Sequence, residues 1–277
     1  QVISDSTFKR NYTNLFPSAF LSYAAGKNNQ LTLSYSRRVT RPNYQHLNPF
    51  IYFLDSLTYQ KGNPFLLPQF SNNIELGHTF KNKFITSVNY SRTTDVISEL
   101  LVHNTEEKTT YLTRENIAAF RNIGLSVTAP VKWSPWWSTS FFGNVFNNHY
   151  KGKYNAFDID LSNTAFLVNI TNSFTLPRGF GAELSGFYRS RTVDQMLIMD
   201  PMYQMNIAFQ KTLMKGKSTV RLNIRDPFGW QRFGAVSRYG NVNVSLNNRW
   251  DSRQVSASFT YRFGKNTVTP SRKRATG

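Results

Sequence analysis

The sequence predicts an all-β chain of antiparallel strands, and three observations carry that prediction. Apolar and polar residues alternate with a period of two in segment after segment, no segment sustains a 3.6-residue period, and the connections alternate between short and long. The last alternation runs without a break, Val255, Ala257, Phe259, Tyr261 and Phe263 being interleaved with Gln254, Ser256, Ser258, Thr260 and Arg262. A strand of this kind has one apolar face and one wet face.

The elements follow in order. Leu31, Leu33 and Tyr35 oppose Thr32, Ser34 and Ser36; Phe84, Thr86, Val88 and Tyr90 oppose Ser87, Asn89 and Ser91. Ile123, Leu125 and Val127 oppose Gly124, Ser126 and Thr128, and Phe166, Val168 and Ile170 oppose Asn169 and Thr171. Phe180, Ala182, Leu184 and Tyr188 alternate with Gly181, Glu183 and Ser185, and Tyr203, Met205, Ile207 and Phe209 with Gln204, Asn206 and Gln210. In 218–228, Val220, Leu222 and Ile224 face one way while Arg221, Asn223 and Arg225 face the other. Two arginines two residues apart suit a water-filled lumen or a solvated sheet face and fit poorly in a dry core.

Short connections fall at 26–29, 81–83, 129–132, 176–179 and 215–217, all with Gly, Pro, Asn or Lys turn chemistry. Long ones fall at 39–70, around 105–108, at 151–160, at the Asp200-Pro201 corner and at 228–251. A soluble sandwich has no reason to sort its loops in this way, whereas an outer-membrane barrel has short periplasmic turns and longer external loops. No stretch reaches the roughly 20 consecutive apolar residues of a membrane helix, but barrel strands need only about 9 to 11 residues, half of them apolar. The 23 Phe, 14 Tyr and 5 Trp suit aromatic girdles at two lipid interfaces, or alternatively a large sandwich core. The fold class expected is therefore an antiparallel transmembrane β-barrel in an outer membrane.

The loop sorting permits a count. With short turns in the periplasm, spans near 15–25, 71–80, 110–128, 160–175, 200–213 and 253–263 run inward, and spans near 29–38, 83–103, 134–149, 180–195 and 218–228 run outward. That makes eleven, an odd number that starts outside, whereas closed bacterial single-chain barrels have even numbers. Further strands upstream are expected to complete the barrel. Residues 239–250 also alternate and are expected to form a protruding arm of the last external loop. The opening Gln1-Val-Ile-Ser-Asp5 carries no initiator Met and no signal pattern, so the chain reads as a piece of a longer precursor or a mature segment cut from one.

Charge and composition limit the alternatives. The formal charge of +18 is spread along the chain without a helix-turn-helix, zinc-finger or RNA-recognition pattern, so no nucleic-acid partner is expected. An anionic lipopolysaccharide surface and an anionic ligand path are the other sinks for it. With no cysteine there is neither a disulfide scaffold nor a thiolate metal site. His46, His78, His103 and His149 have no ligand spacing, and no constellation of nucleophile, base and orienting group is evident, so no metal, cofactor or catalytic residue is assigned.

Several stretches together resemble one family. Ser36-Arg-Arg-Val-Thr-Arg-Pro-Asn-Tyr-Gln-His-Leu-Asn-Pro-Phe50, Gly62-Asn-Pro-Phe-Leu-Leu-Pro-Gln-Phe-Ser-Asn-Asn-Ile-Glu-Leu76, Asn223-Ile-Arg-Asp-Pro-Phe228 and Thr260-Tyr-Arg-Phe-Gly264 are similar to the barrel of Bacteroidota TonB-dependent receptor-like outer-membrane proteins. The resemblance implies a 22-strand barrel, of which residues 1–264 would be the C-terminal half, followed by a basic periplasmic tail at 265–277. It also implies a receptor that passes an external small ligand, glycan or peptide through the membrane and that is not an enzyme. The signal peptide, the N-terminal plug and the motif that engages the TonB-type energy transducer are not visible in this sequence. Phe259, Tyr261 and Phe263 would form the closing strand that the barrel-assembly machinery reads. A stand-alone porin, an outer-membrane phospholipase or protease, and a soluble basic β-protein remain the alternatives.

Two groups of candidate site residues emerge. The loop 39–70 carries Arg41, Tyr44, His46, Tyr52 and Tyr59, and its Pro and Asn-Pro breaks argue for a folded loop able to capture a ligand, or one that packs onto the barrel mouth. Arg221, Asn223 and Arg225 are expected to line the lumen near the closing strand.

Overall fold

The computed structural model describes residues 13–263 other than 105, 107, 155, 156, 240 and 241. Alternation becomes strand nearly everywhere it was expected. The strands are β1 (Ser18–Ala24), β2 (Asn29–Thr40), β3 (Tyr52–Phe53), β4 (Thr58–Gln60), β5 (Gln69–Phe80) and β6 (Phe84–Asn104). They continue with β7 (Thr109–Lys132), β8 (Trp137–Tyr154), β9 (Phe157–Leu176), β10 (Phe180–Arg189), β11 (Thr192–Asp194) and β12 (Leu197–Met199). The last are β13 (Met202–Leu213), β14 (Ser218–Arg225), β15 (Phe233–Tyr239), β16 (Val242–Asn248) and β17 (Gln254–Tyr261).

In the main sheet the short β3–β4 hairpin attaches through β4, parallel to β7, and the other eleven strands pair antiparallel in the order β1-β2-β5-β6-β7-β8-β9-β10-β13-β14-β17. They are the eleven spans read from the sequence. Among the described residues β1 pairs only with β2 and β17 only with β14, so the sheet is open. Residues 239–250 do not span: β16 pairs with β15 in a separate four-stranded sheet with β11 and β12.

Register places like with like across strands. Leu33, Leu76, Val88, Leu125, Val145 and Phe166 are consecutive cross-strand partners on six neighbouring strands, and each is 43 to 53 % exposed. A row of large apolar side chains left half open on a continuous face is the surface a hydrocarbon phase covers. The opposite face is polar and bonded to itself. Ser87 meets Ser126 at 2.7 Å, Asn89 donates to Asn122 (2.6 Å), and Asn122 donates to Asn148 (2.7 Å).

Aromatic rings mark both edges of the apolar band. At the short-turn end Trp133, Trp136, Trp137 and Phe174 stack with centroids 5.5 to 6.2 Å apart. Their indoles satisfy the two polar side chains there, Trp133 Nε1 donating to Thr139 and Trp137 Nε1 to Asn172. At the other end Tyr35, Tyr90, Tyr188 and Tyr203 occupy outward positions. Amphipathic rings at two levels are what a bilayer's interfaces favour.

Three expectations are corrected. The third short connection is 133–136 and not 129–132, which belongs to β7. Pro130 is tolerated there because the ladder to β6 stops at Thr128, leaving proline paired with β8 alone. The connection around 105–108 is short, since β6 runs to Asn104 and β7 begins at Thr109, and 151–154 and 157–160 are strand, so β6–β7 and β8–β9 continue as hairpins past the apolar band. The span 180–195 ends at Arg189, after which β11 joins the second sheet.

The cluster of buried apolar side chains lies outside the band. Val96, Leu100, Ile117, Tyr150, Ile159 and Met196 pack together where the hairpin extensions and β11–β12 meet. A single-layer sheet has no dry interior of its own, so among the described residues the hydrophobic core builds up where these hairpin extensions meet the second sheet.

Candidate functional site

The long loop between β2 and β5 is folded, as its breaks predicted. Asn43 caps a one-turn helix, α1 (Tyr44–Leu47), by accepting from His46 N at 2.8 Å. The turn is then pinned from further along the loop, where Gly62 N donates to the Asn48 carbonyl (2.8 Å) and Asn63 N to the His46 carbonyl (2.7 Å). A Cβ at position 62 would run into those same carbonyls, so the Gly-Asn-Pro stretch is needed there for close approach.

Side-chain amides tie the loop to the barrel. Asn63 Nδ2 donates to the Arg114 carbonyl (3.1 Å) and to Glu115 Oε2 (2.8 Å). Asn116 accepts from Leu67 N (2.7 Å) and donates to the carbonyls of Leu67 (3.0 Å) and Asp95 (2.7 Å). Asp95 sits in the left-handed region (φ 55°) at the bulge that shifts the β6–β7 register. One asparagine thus joins loop, bulge and wall.

Beside this joint lies an open cleft of about 410 Å³ on the polar face. Arg41 and His46 from the loop line it, with Arg114 from β7, Tyr150 from β8 and Asp194 from β11. Arg114 is ion-paired with Glu99 at 2.8 Å, whereas Arg41 has no carboxylate partner among the described residues. His46 Nδ1 is buried without a hydrogen-bond partner. Desolvation, and then the Arg114 charge, hold the imidazole below its ordinary pKa, so at neutral pH it is an uncharged ring beside two guanidiniums. A concave site with two cations, a phenol and an unsatisfied ring nitrogen is equipped to hold an anionic or acceptor-rich ligand.

The sequence candidates divide on this geometry. Arg41 and His46 come together, while Tyr44 and Tyr52 point to solvent away from the cavity. Tyr59 stacks on Tyr111 (5.2 Å, 13°) and meets Phe53 edge-on, which packs the loop against β7. Arg114, Tyr150 and Asp194 had no sequence signal, because the hairpin extensions and β11 that bring them together are joined only by register.

On the polar face further along, Arg221 reaches Glu183 at 3.2 Å and donates from Nε to Asn223 (2.7 Å). Arg225 donates to Gln231 (3.4 Å). Asp226, which follows at φ 43° and with no exposed surface, accepts from Trp230 N, Gln231 N and Ser252 Oγ and so clamps both ends of the last external loop. Phe259 and Tyr261 lie on the apolar face as register partners of Val220 and Ser218, and Phe263 follows, exposed. The tail 265–277 and residues 1–12 lie outside the described residues. Among the described residues no group of three His, Asp or Glu has the geometry to hold a metal.

Residues 1–261 match the model of the outer membrane protein beta-barrel family. The chain belongs to that family. It is an outer-membrane protein. No curated protein matches it. Among solved structures it is similar to the siderophore receptor PirA from Pseudomonas aeruginosa, with a TM-score of 0.58 at 16 % identity over 78 % of this chain and 39 % of that one. It is also similar to a mutant ferric enterobactin receptor, PfeA, from the same organism in complex with enterobactin, with a TM-score of 0.57 at 16 % identity over 90 % and 40 %. At such identity the likeness concerns the fold, and the chain spans about two fifths of the length of these receptors.

Proposed function

We propose that this chain is the C-terminal half of a 22-strand receptor barrel, and that it helps capture an anionic external ligand at the mouth and pass it through the outer membrane. The observation that carries the reading is the cavity in which Arg41, Arg114 and the unsatisfied His46 converge on the polar face. Its position supports passage, since the cavity lies on the polar face of the sheet, the same face that carries Arg221, Asn223 and Arg225. The similar receptors are described as siderophore and ferric enterobactin receptors, which favours a small ligand over a glycan or peptide.

The two edge strands support the larger barrel. Unpaired backbone groups cost on the order of several kcal/mol each in hydrocarbon, so β1 and β17 need partners from strands beyond these eleven. Coupling to a TonB-type transducer would run through an N-terminal plug region of the same protein. Phe259, Tyr261 and Phe263 would serve as the signal to the assembly machinery, the loop motifs favour an origin in Bacteroidota, and the role is that of a receptor and not an enzyme.

The test is direct binding of a panel of ferric siderophores to the full-length protein in detergent, with Arg41→Gln and Arg114→Gln introduced together. Binding at least about tenfold weaker in the double variant is expected, since a charge-assisted hydrogen bond contributes roughly 1.5 to 3 kcal/mol. Unchanged affinity for a ligand that binds the unaltered protein would refute the site.

A further inference from the structure

The apolar face of the sheet carries a feature unrelated to the mouth. On β2, β5, β6 and β7 the positions one step external to Tyr35, Ile74, Tyr90 and Ile123 are Arg37, Asn72, Arg92 and Arg121, and these are cross-strand partners in that order. By parity all four face the same way as Leu33, Val88 and Leu125. Three guanidiniums therefore stand in a row where the lipid band ends, immediately beyond its aromatic edge.

Nothing in the described protein neutralises that row. None of the three arginines has a carboxylate partner among the described residues. Arg92 and Arg121 are direct cross-strand partners, an arrangement that is destabilising for like charges unless an anion lies between them. Arg37 lies over the Phe70 ring at 5.4 Å, and its Nε is buried without a hydrogen-bond partner. Asp160 is linked to the row through a histidine: Arg121 donates to His149 Nδ1 (3.2 Å), and His149 Nε2 meets Asp160 at 2.8 Å, beside Lys151.

We propose that Arg37, Arg92 and Arg121, with Asn72 between them, bind the phosphate groups of a phosphorylated glycolipid of the outer leaflet, lipopolysaccharide. Guanidinium matches phosphate bidentately, and the acyl chains of the same molecule would lie along Leu33, Val88 and Leu125 directly below. Three strand spacings of about 4.8 Å put Arg37 and Arg121 roughly 14 Å apart, too far for one free phosphate to bridge but within reach of a headgroup with more than one. The site is independent of the mouth cavity, which lies on the other face of the sheet.

The test uses the full-length protein in detergent, titrated with bisphosphorylated lipid A, with the same lipid A stripped of phosphate, and with inorganic phosphate. The unaltered protein should prefer the phosphorylated lipid by at least about tenfold, with a preference that weakens as salt rises from about 0.05 to 0.5 M. The Arg37→Gln, Arg92→Gln, Arg121→Gln triple variant should lose the preference, and the corresponding Arg→Lys triple should keep part of it. Equal binding of both lipids to the unaltered protein, or a preference that persists in the Gln triple, would overturn the proposal. Displacement of the lipid by equimolar inorganic phosphate would overturn the lipid assignment in favour of a free-anion site. Should the Gln triple fail to assemble, the lipid comparison and its salt dependence on the unaltered protein still decide.

Discussion

Leu33 and Ser34 are consecutive residues of β2 on opposite faces, and placing arginine at each in turn separates a membrane wall from a soluble sheet. Leu33 is 43 % exposed and sits between Leu21 of β1 and Leu76 of β5, in the middle of its strand's outward run from Leu31 to Tyr35. If that face meets lipid, Leu33→Arg puts a cation near the bilayer midplane at about 2 to 4 kcal/mol. Taking about 3 kcal/mol, the folded population falls on the order of a hundredfold against the unfolded one. Ser34 faces the polar side directly opposite Glu75, so Ser34→Arg gains a partner and should change stability by less than about 0.5 kcal/mol. The assay is the denaturant midpoint of the full-length protein in lipid vesicles, followed by tryptophan fluorescence and heat-modifiable mobility. Two variants of equal stability would refute the assignment of faces, because a half-exposed leucine on a solvated sheet tolerates arginine.

Two further outcomes follow from the loops. Asp226 accepts three hydrogen bonds; burial alone would raise its pKa, but Ser252, Gln231 N, Trp230 N and the Arg225 charge bring it below the ordinary value. Its contribution is therefore present above about pH 3.9 and is lost as pH falls through the depressed pKa. Asp226→Asn turns an amide N–H toward those donors, and limited proteolysis should cut the 227–252 loop about tenfold faster at neutral pH, in line with about 1 to 3 kcal/mol for an unsatisfied buried group; an unchanged rate would remove Asp226 as the clamp. At His46 the folded pKa lies below the unfolded one, so the unfolded chain binds the extra proton and stability falls as pH drops through about 6.5 toward the folded value. An anion in the cavity would raise that pKa, so its binding should tighten between pH 7.5 and 5.5, a trend that His46→Gln should abolish.

Strands and faces were legible because each wall strand separates two solvents, and that contrast is written residue by residue in Leu31 to Ser36 or Val220 to Arg225. Span limits followed to within a few residues, and the arm at 239–250 was recognisable because a twelfth span would have needed a long turn on the short-turn side. Pro130 misled because a proline reads as a turn, whereas β7 outlasts its β6 partner and can hold it at a one-sided position. Loop 39–70 yielded Arg41 and His46, but Arg114 depends on a bulge at Asp95 that sets which residues of β6 and β7 face each other, and Tyr150 and Asp194 on where β8 and β11 lie beside them. The arginine row is the strongest case of hidden order. Read along the chain, Arg37, Arg92 and Arg121 are scattered charges within a total of +18, and only the register aligns them.

The chain contains no cysteine, so single cysteines can report on the wall one position at a time. With cysteine placed in turn from Gly124 to Thr128 of β7 in the full-length protein, any cysteine outside this chain being replaced by serine, and each site spin-labelled in the membrane, accessibility to a lipid-phase relaxant should peak at 125 and 127. Accessibility to an aqueous relaxant should peak at 124, 126 and 128. A period-two pattern with those phases is what a barrel wall between lipid and lumen requires, and uniform aqueous accessibility at all five positions would contradict it.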